Sequence, residues 1–156
     1  MAYWLMKSEP DCYSIDDLRA KAGPDVWEGC RNYTVRNFFR DSMSVGDLAF
    51  FYHSVAAPTG IVGVMKVVSE AYPDPTQFDP KSEYYDPKAP ADGSRWITRD
   101  VEFVEKFSRC ITLSELRETP GLEDMFVLRK GQRLSVMPVT ETEFGIVSDL
   151  ARRPTS

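Results

Sequence analysis

Apolar residues come along this chain in short runs, and the spacing within each run predicts its element. Tyr3, Trp4, Leu5 and Met6 read as a strand that Pro10 ends, and Ser14 with Asp17 has the spacing of a capping pair that opens a first helix. Val35, Phe38 and Phe39 stand at helical spacing and predict a second helix from Thr34 to Asp41, with Arg36 and Arg40 on one edge. Val45-Gly46-Asp47 turns the chain into LAFFYHS, whose unbroken apolar stretch from Leu48 to Tyr52 predicts a strand buried on both faces and ended by His53 and Ser54. A loop of hairpin size then leads to another strand, Gly60 to Val68.

The pattern stops between Pro73 and Gly93. Prolines and acids leave neither periodicity there, which predicts a long loop with Tyr84 and Tyr85 as aromatic anchors. Alternation resumes from Trp96 to Val104, with Ile97, Val101 and Phe103 inward and Thr98, Asp100 and Glu102 outward. Thr112 with Glu115 and Thr140 with Glu143 are capping boxes for helices at Leu113–Glu118 and Glu141–Leu150, and Leu134 to Val139 is a strand between them. This order of elements suits an α+β fold: a small mixed sheet curved toward a barrel, with flanking helices, in one domain spanning 1–156.

A chain of 156 residues is long enough to bury a real core, and no apolar run approaches the roughly eighteen residues of a membrane span. Residues Met1 to Lys7 carry no export signal, so a cytoplasmic location is expected. Cys12, Cys30 and Cys110 are too scattered for a metal knuckle and His53 is the single histidine, so neither metal nor cofactor is expected. The net charge of −5 argues against a broad phosphate-binding face. Local basic clusters remain, one from Arg31 to Arg40 and one at Arg129, Lys130 and Arg133.

Two segments carry candidate chemistry. Lys7, Ser8 and Glu9 lie on the strand-to-helix loop, where binding residues tend to gather, although an ordinary solvated connection reads the same way. WEGCRNYTVRNFFRD, Trp27 to Asp41, concentrates the side chains of a base pocket, because an aromatic face stacks on a base while an amide matches its hydrogen-bonding edge. Competing readings place Trp27 in the core, make Asn32 the cap of the next helix, and give His53 a backbone partner. Trp4 and Trp96 are read as core.

The blocks YWLMKSEP, WEGCRNY, VGDLAFFYHS, GIVGV, EAYPDPTQFDP, YYDPK and RLSVMPVT, in this order, resemble the EVE domain, a PUA-like fold similar to YTH domains. The resemblance covers nearly the whole chain. It implies a reader of modified nucleobases in DNA or RNA that does no chemistry on them; a monomer without a membrane partner is expected besides. Placed on this sequence, it implies that Trp27 is a wall of the base pocket, that Asn32 reads the base edge, and that Tyr33 stands close by. Lys7, Ser8 and Glu9 line the mouth, with His53 and Ser54 opposite. Arg36, Arg129 and Arg133 contact flanking phosphates. Cys30 and Met137 depart from the valine and glutamine expected at those places. The alternatives are a protein-interaction module built on the tyrosine-bearing loop and, behind it, a nucleotide hydrolase using Glu9 or Glu28 as base near Lys7.

Overall fold

β1 (Tyr3–Ser8) lies parallel to β3 (Leu48–His53), and every other pairing in the main sheet is antiparallel. The structure, a computed structural model, describes residues 1–153. β2 (Asp25–Val26), β4 (Gly60–Val67), β7 (Asp100–Thr112) and β8 (Val136–Val139) complete a six-stranded sheet in the order β2-β7-β4-β3-β1-β8. β5 (Tyr72–Pro73) and β6 (Ile97–Thr98) pair as a separate small ribbon. Register shifts between β4 and β7 curl the sheet into a half-barrel, as bulges do wherever two residues on one strand face one on the other.

Alternation along the central strands sends side chains into two cores. Leu5, Phe50 and Tyr52 point to one, which α3 (Leu113–Glu118) and α4 (Glu141–Arg152) cover. Trp4, Met6, Ala49 and Phe51 point to the other, against α1 (Ile15–Lys21) and α2 (Tyr33–Asn37). The expectation of a strand buried on both faces at Leu48–Tyr52 is met. Ser14 and Thr140 close the full capping boxes at α1 and α4. Thr112 caps α3, but Glu115 does not reach back to it, because its carboxylate pairs with the guanidinium of Arg109.

Three expectations need correction. The helix at Thr34–Asp41 is a short α2 that widens into a π turn, Phe38–Ser42, which buries Phe39 fully while Phe38 packs beside Trp4. Buried Arg99 donates from Nε to the Phe39 carbonyl at 2.6 Å and so satisfies a group in the widened turn. Thr98, expected to face outward, is buried with its hydroxyl donating to the Trp27 carbonyl. The segment from 73 to 93 is folded locally: Pro75–Phe78 form a 3-10 turn, Asp74 is buried, and Gln77, fully buried, donates to the carbonyls of Asp74 and Trp96.

Candidate nucleic-acid interface

The C-terminal ends of β1 and β3 open into a cleft of about 650 Å³. Lys7, Ser8 and Glu9 line one side and Ser54 stands beside them, held there by its N–H donating to the Ser8 carbonyl at 3.0 Å. The Lys7 N–H donates to the Ser135 carbonyl at 2.8 Å, which brings the chain entering β8 to the cleft and with it Arg133. Tyr13, on the approach to α1, and Asp25, on β2, face each other across the floor with the phenol hydroxyl donating to the carboxylate. Trp27 lines the inner wall with the small part of its indole that escapes the core, where it meets Phe51 edge-on at 5.4 Å.

The opposite wall comes from the 73–93 segment and depends on one ion pair. Asp74, buried, accepts from the Gly29 N–H at 2.9 Å, from Arg31 Nη1 at 3.2 Å and from the Thr76 hydroxyl at 2.6 Å. Arg31 also donates to the Tyr84 carbonyl at 2.7 and 3.1 Å. The Tyr84 ring thereby lies directly on Gly29. A Cβ at position 29 would approach that ring to 2.5 Å, and Gly29 has φ +90°, so glycine is required there twice over.

The cleft mixes charges on both sides: Lys7 and Arg133 stand toward β1 and β8 with the Glu9 carboxylate, and Asp25, Glu28 and Glu83 stand toward β2 and the loop with the Arg31 guanidinium. Burial lowers the Lys7 pKa, and its ammonium sits 5.5 Å from the centroid of the Tyr52 ring. Burial and then the neighbouring Asp74, Asp25 and Glu83 carboxylates push Glu28 upward, while burial and a hydrogen bond to Glu83 push the Tyr84 phenol up to about 12. Burial raises the Cys30 thiol to about 11, which leaves it protonated and unfit as a nucleophile at neutral pH. Among the described residues, no group of His, Cys, Asp and Glu is arranged to hold a metal ion, and no helix is long and apolar enough to cross a membrane.

Of the candidate site residues, Lys7, Ser8, Glu9, Trp27, Ser54 and Arg133 come together in this cleft. The others stand outside its lining, each for a local reason. Asn32 caps α2, its Oδ1 accepting from the Val35 N–H at 3.1 Å. Tyr33 is turned outward and stacks on Trp96 at 5.1 Å. His53 Nε2 accepts from the Ile15 N–H at 3.1 Å, the backbone partner that competed with a ligand role. Arg36 lies over the Tyr33 ring and Arg129 over Phe126. Tyr13, Asp25 and Tyr84 were not among the candidates. The tyrosine-bearing loop had singled out Tyr84 only as an anchor, and nothing in the spacing relates Tyr13 to Asp25.

A curled mixed sheet with helices against both of its faces and a cleft at the ends of two parallel strands defines an α+β half-barrel fold. The EVE domain family model matches residues 2–150, and the chain belongs to that family. Human thymocyte nuclear protein 1 is 42% identical over 99% of this chain and 76% of its own length. A solved Pseudomonas putida protein superposes with a TM-score of 0.90 at 48% identity, covering 96% of this chain and 99% of that one. Human THYN1 protein, solved in complex with 5-methylcytosine containing DNA, superposes with a TM-score of 0.90 at 42% identity, covering 99% of this chain and 100% of that one. The cytoplasmic expectation is overturned by these relatives, which are named as nuclear proteins in human and mouse. It had rested on a missing export signal, a criterion blind to the difference between cytosol and nucleus.

Proposed function

We propose that the protein binds DNA bearing a modified base such as 5-methylcytosine and receives that base, turned out of its stack, in the cleft. The cleft itself carries the reading. Its volume of about 650 Å³ lies in the range of small-ligand pockets, roughly 300–1,000 Å³. It combines aromatic rings with fixed polar groups, as a pocket for an extruded base must. Tyr84 supplies an apolar face and Trp27 the small exposed part of its indole, Ser8, Glu9 and Ser54 supply hydrogen-bonding groups at the mouth, and Lys7 and Arg133 stand where a phosphate would pass. Arg36 and Arg129 are outer phosphate contacts. The relative solved with 5-methylcytosine containing DNA supports the choice of polymer. Binding without turnover fits a lining whose two thiols are both pushed above their ordinary value, Cys12 by burial and by the Glu9 carboxylate to which it donates at 3.7 Å, and Cys30 by burial to about 11.

The test is an anisotropy titration with otherwise identical DNA duplexes carrying one 5-methylcytosine or one cytosine, repeated with the matching RNA. The methylated DNA is expected to bind most tightly and to be recovered unchanged by mass spectrometry. Arg133→Ala should weaken both duplexes alike and reduce the salt slope by about 0.9. Equal affinity for modified and unmodified duplexes overturns the reading. Time-dependent conversion of the base promotes the hydrolase in its place.

A further inference from the structure

Beside the cleft lies a shallow groove of about 280 Å³ lined by Arg31, Glu83, Tyr84, Tyr85, Asp86 and Trp96. Three of these residues, Arg31, Glu83 and Tyr84, also line the cleft, so the two depressions share one wall. Trp96, which is largely buried, joins the groove to a layered stack behind it. Tyr33 lies nearly parallel to Trp96, 17° between planes, Arg36 covers Tyr33 at 4.8 Å, and Arg31 approaches both Trp96 at 5.4 Å and Tyr84 at 5.8 Å. The Trp96 indole donates to Asp86 at 2.8 Å and Arg95 pairs with the same carboxylate, which holds the indole in place and offsets the charge of Asp86. Tyr85, by contrast, is 41% exposed at the groove's edge.

Such a surface suits a flat, uncharged ring. Aromatic faces alternating with guanidinium planes are the side chains on which unpaired bases stack, and that stacking tolerates any base because every base has a π-face. The Glu83 carboxylate disfavours phosphate within the groove, while the guanidinium of Arg36, hydrogen-bonded to Asn37 Oδ1 at 3.0 and 3.1 Å, stays beside it for the backbone. Because the groove and the cleft share Arg31, Glu83 and Tyr84, the nucleotide next to a base held in the cleft would meet this shared wall. We propose that this groove is a second nucleobase subsite, which stacks the nucleotide adjacent to the modified base without reading its identity. The inference rests on the function proposed above, and it adds a footprint of two bases where the cleft alone holds one.

The experiment compares wild type with Tyr85→Ala on 5-methylcytosine oligonucleotides in which the nucleotide on either side of the modified base is intact or abasic. Removing the neighbouring base on one side is expected to weaken wild-type binding by about tenfold, the scale of one lost base stack. Tyr85→Ala should bind the intact oligonucleotide more weakly, yet match wild type on the abasic one, because the two changes remove the same contact. Exchanging the neighbour among the four bases should matter little. The inference is overturned if neither abasic position weakens wild type, or if Tyr85→Ala and the abasic site act additively. Tyr85→Ala binding every oligonucleotide like wild type also overturns it, and leaves the groove to a protein partner. A wild type that binds no oligonucleotide at all fails differently, since it removes the function proposed for the cleft as well.

Discussion

The two walls of the cleft are held by opposite means. On the sheet side, Lys7 and Ser54 sit at the ends of β1 and β3, which bury Met6 and Phe51 fully, and Trp27 packs its indole on Phe51, so the wall inherits the rigidity of the core. On the loop side, Tyr84 reaches the cleft through Asp74, Arg31 and Gly29, with polar bonds in place of packed hydrocarbon. Apolar packing spreads its energy over many contacts, whereas a buried charge network concentrates it in a few atoms that fail together. Damage to the sheet wall should therefore register as global instability, and damage to the loop wall as loss of one face of the site.

Trp27 gives the largest expected effect. Its indole is 6% exposed and packs against Phe51, so Trp27→Ala should cost about 3–5 kcal/mol in urea denaturation, as aromatic truncations in cores do. Such a loss confounds any binding measurement. Trp27→Phe keeps a ring in the core and separates the roles: a stable Trp27→Phe variant with wild-type oligonucleotide affinity would show that the indole is structural only.

Asp74→Ala is the counterpart on the loop side. It leaves the Arg31 guanidinium and the Gly29 N–H without their buried acceptor, and removing one member of a buried pair costs about 3–5 kcal/mol. Because Arg31 is partly exposed, we expect the low end, about 3 kcal/mol. Hydrogen exchange distinguishes the two walls: amides from 74 to 98 should lose protection in Asp74→Ala while those of β3 and β4 keep theirs. Uniform loss of protection would mean that the loop wall is part of the core after all.

The same contrast explains what could be read in the sequence. Caps at Ser14, Thr112 and Thr140 and the apolar run at Leu48–Tyr52 are local signals, and the elements they predicted are present. The sheet side of the site was legible because Lys7, Ser8 and Ser54 lie at the ends of those strands. The loop side was not, since Arg31 and Asp74 are 43 residues apart and no period relates them. The resemblance places Asn32 and His53 in the site, whereas the competing readings of the residues themselves, a helix cap and a backbone partner, match the bonds found at the Val35 and Ile15 amides. Strand β7 ran past its expected end at Val104 because its exposed Glu105 and Lys106 hide the continuation.

Gly29→Ala should act on the boundary between the two walls with a smaller effect. The left-handed φ and the Tyr84 ring at 2.5 Å together should cost about 1–3 kcal/mol, the scale of a strained backbone position. The ring must leave its place on Gly29, which changes the cleft wall, so oligonucleotide affinity should fall by more than stability accounts for. An unchanged affinity would place Tyr84 outside the binding surface and leave the sheet wall as the whole site.

The smallest effect expected is a pH dependence on the sheet side. His53 accepts the Ile15 N–H through Nε2, which requires that nitrogen to be unprotonated, and burial lowers its pKa below the ordinary 6.5. The unfolded chain therefore binds this proton more readily than the folded one. The resulting stabilisation is fully present above pH 6.5 and is lost as pH falls through the folded-state value. Protonation would release the start of α1 and with it Tyr13, which lines the cleft two residues upstream of Ile15. Stability should thus decline between pH 7.5 and pH 5.5 in wild type and decline less in His53→Gln, with the pH sites set by the reference value of about 6.5. Denaturation midpoints measured at both pH values for both proteins decide it: parallel declines would assign the acid sensitivity to other groups and leave both walls indifferent to His53.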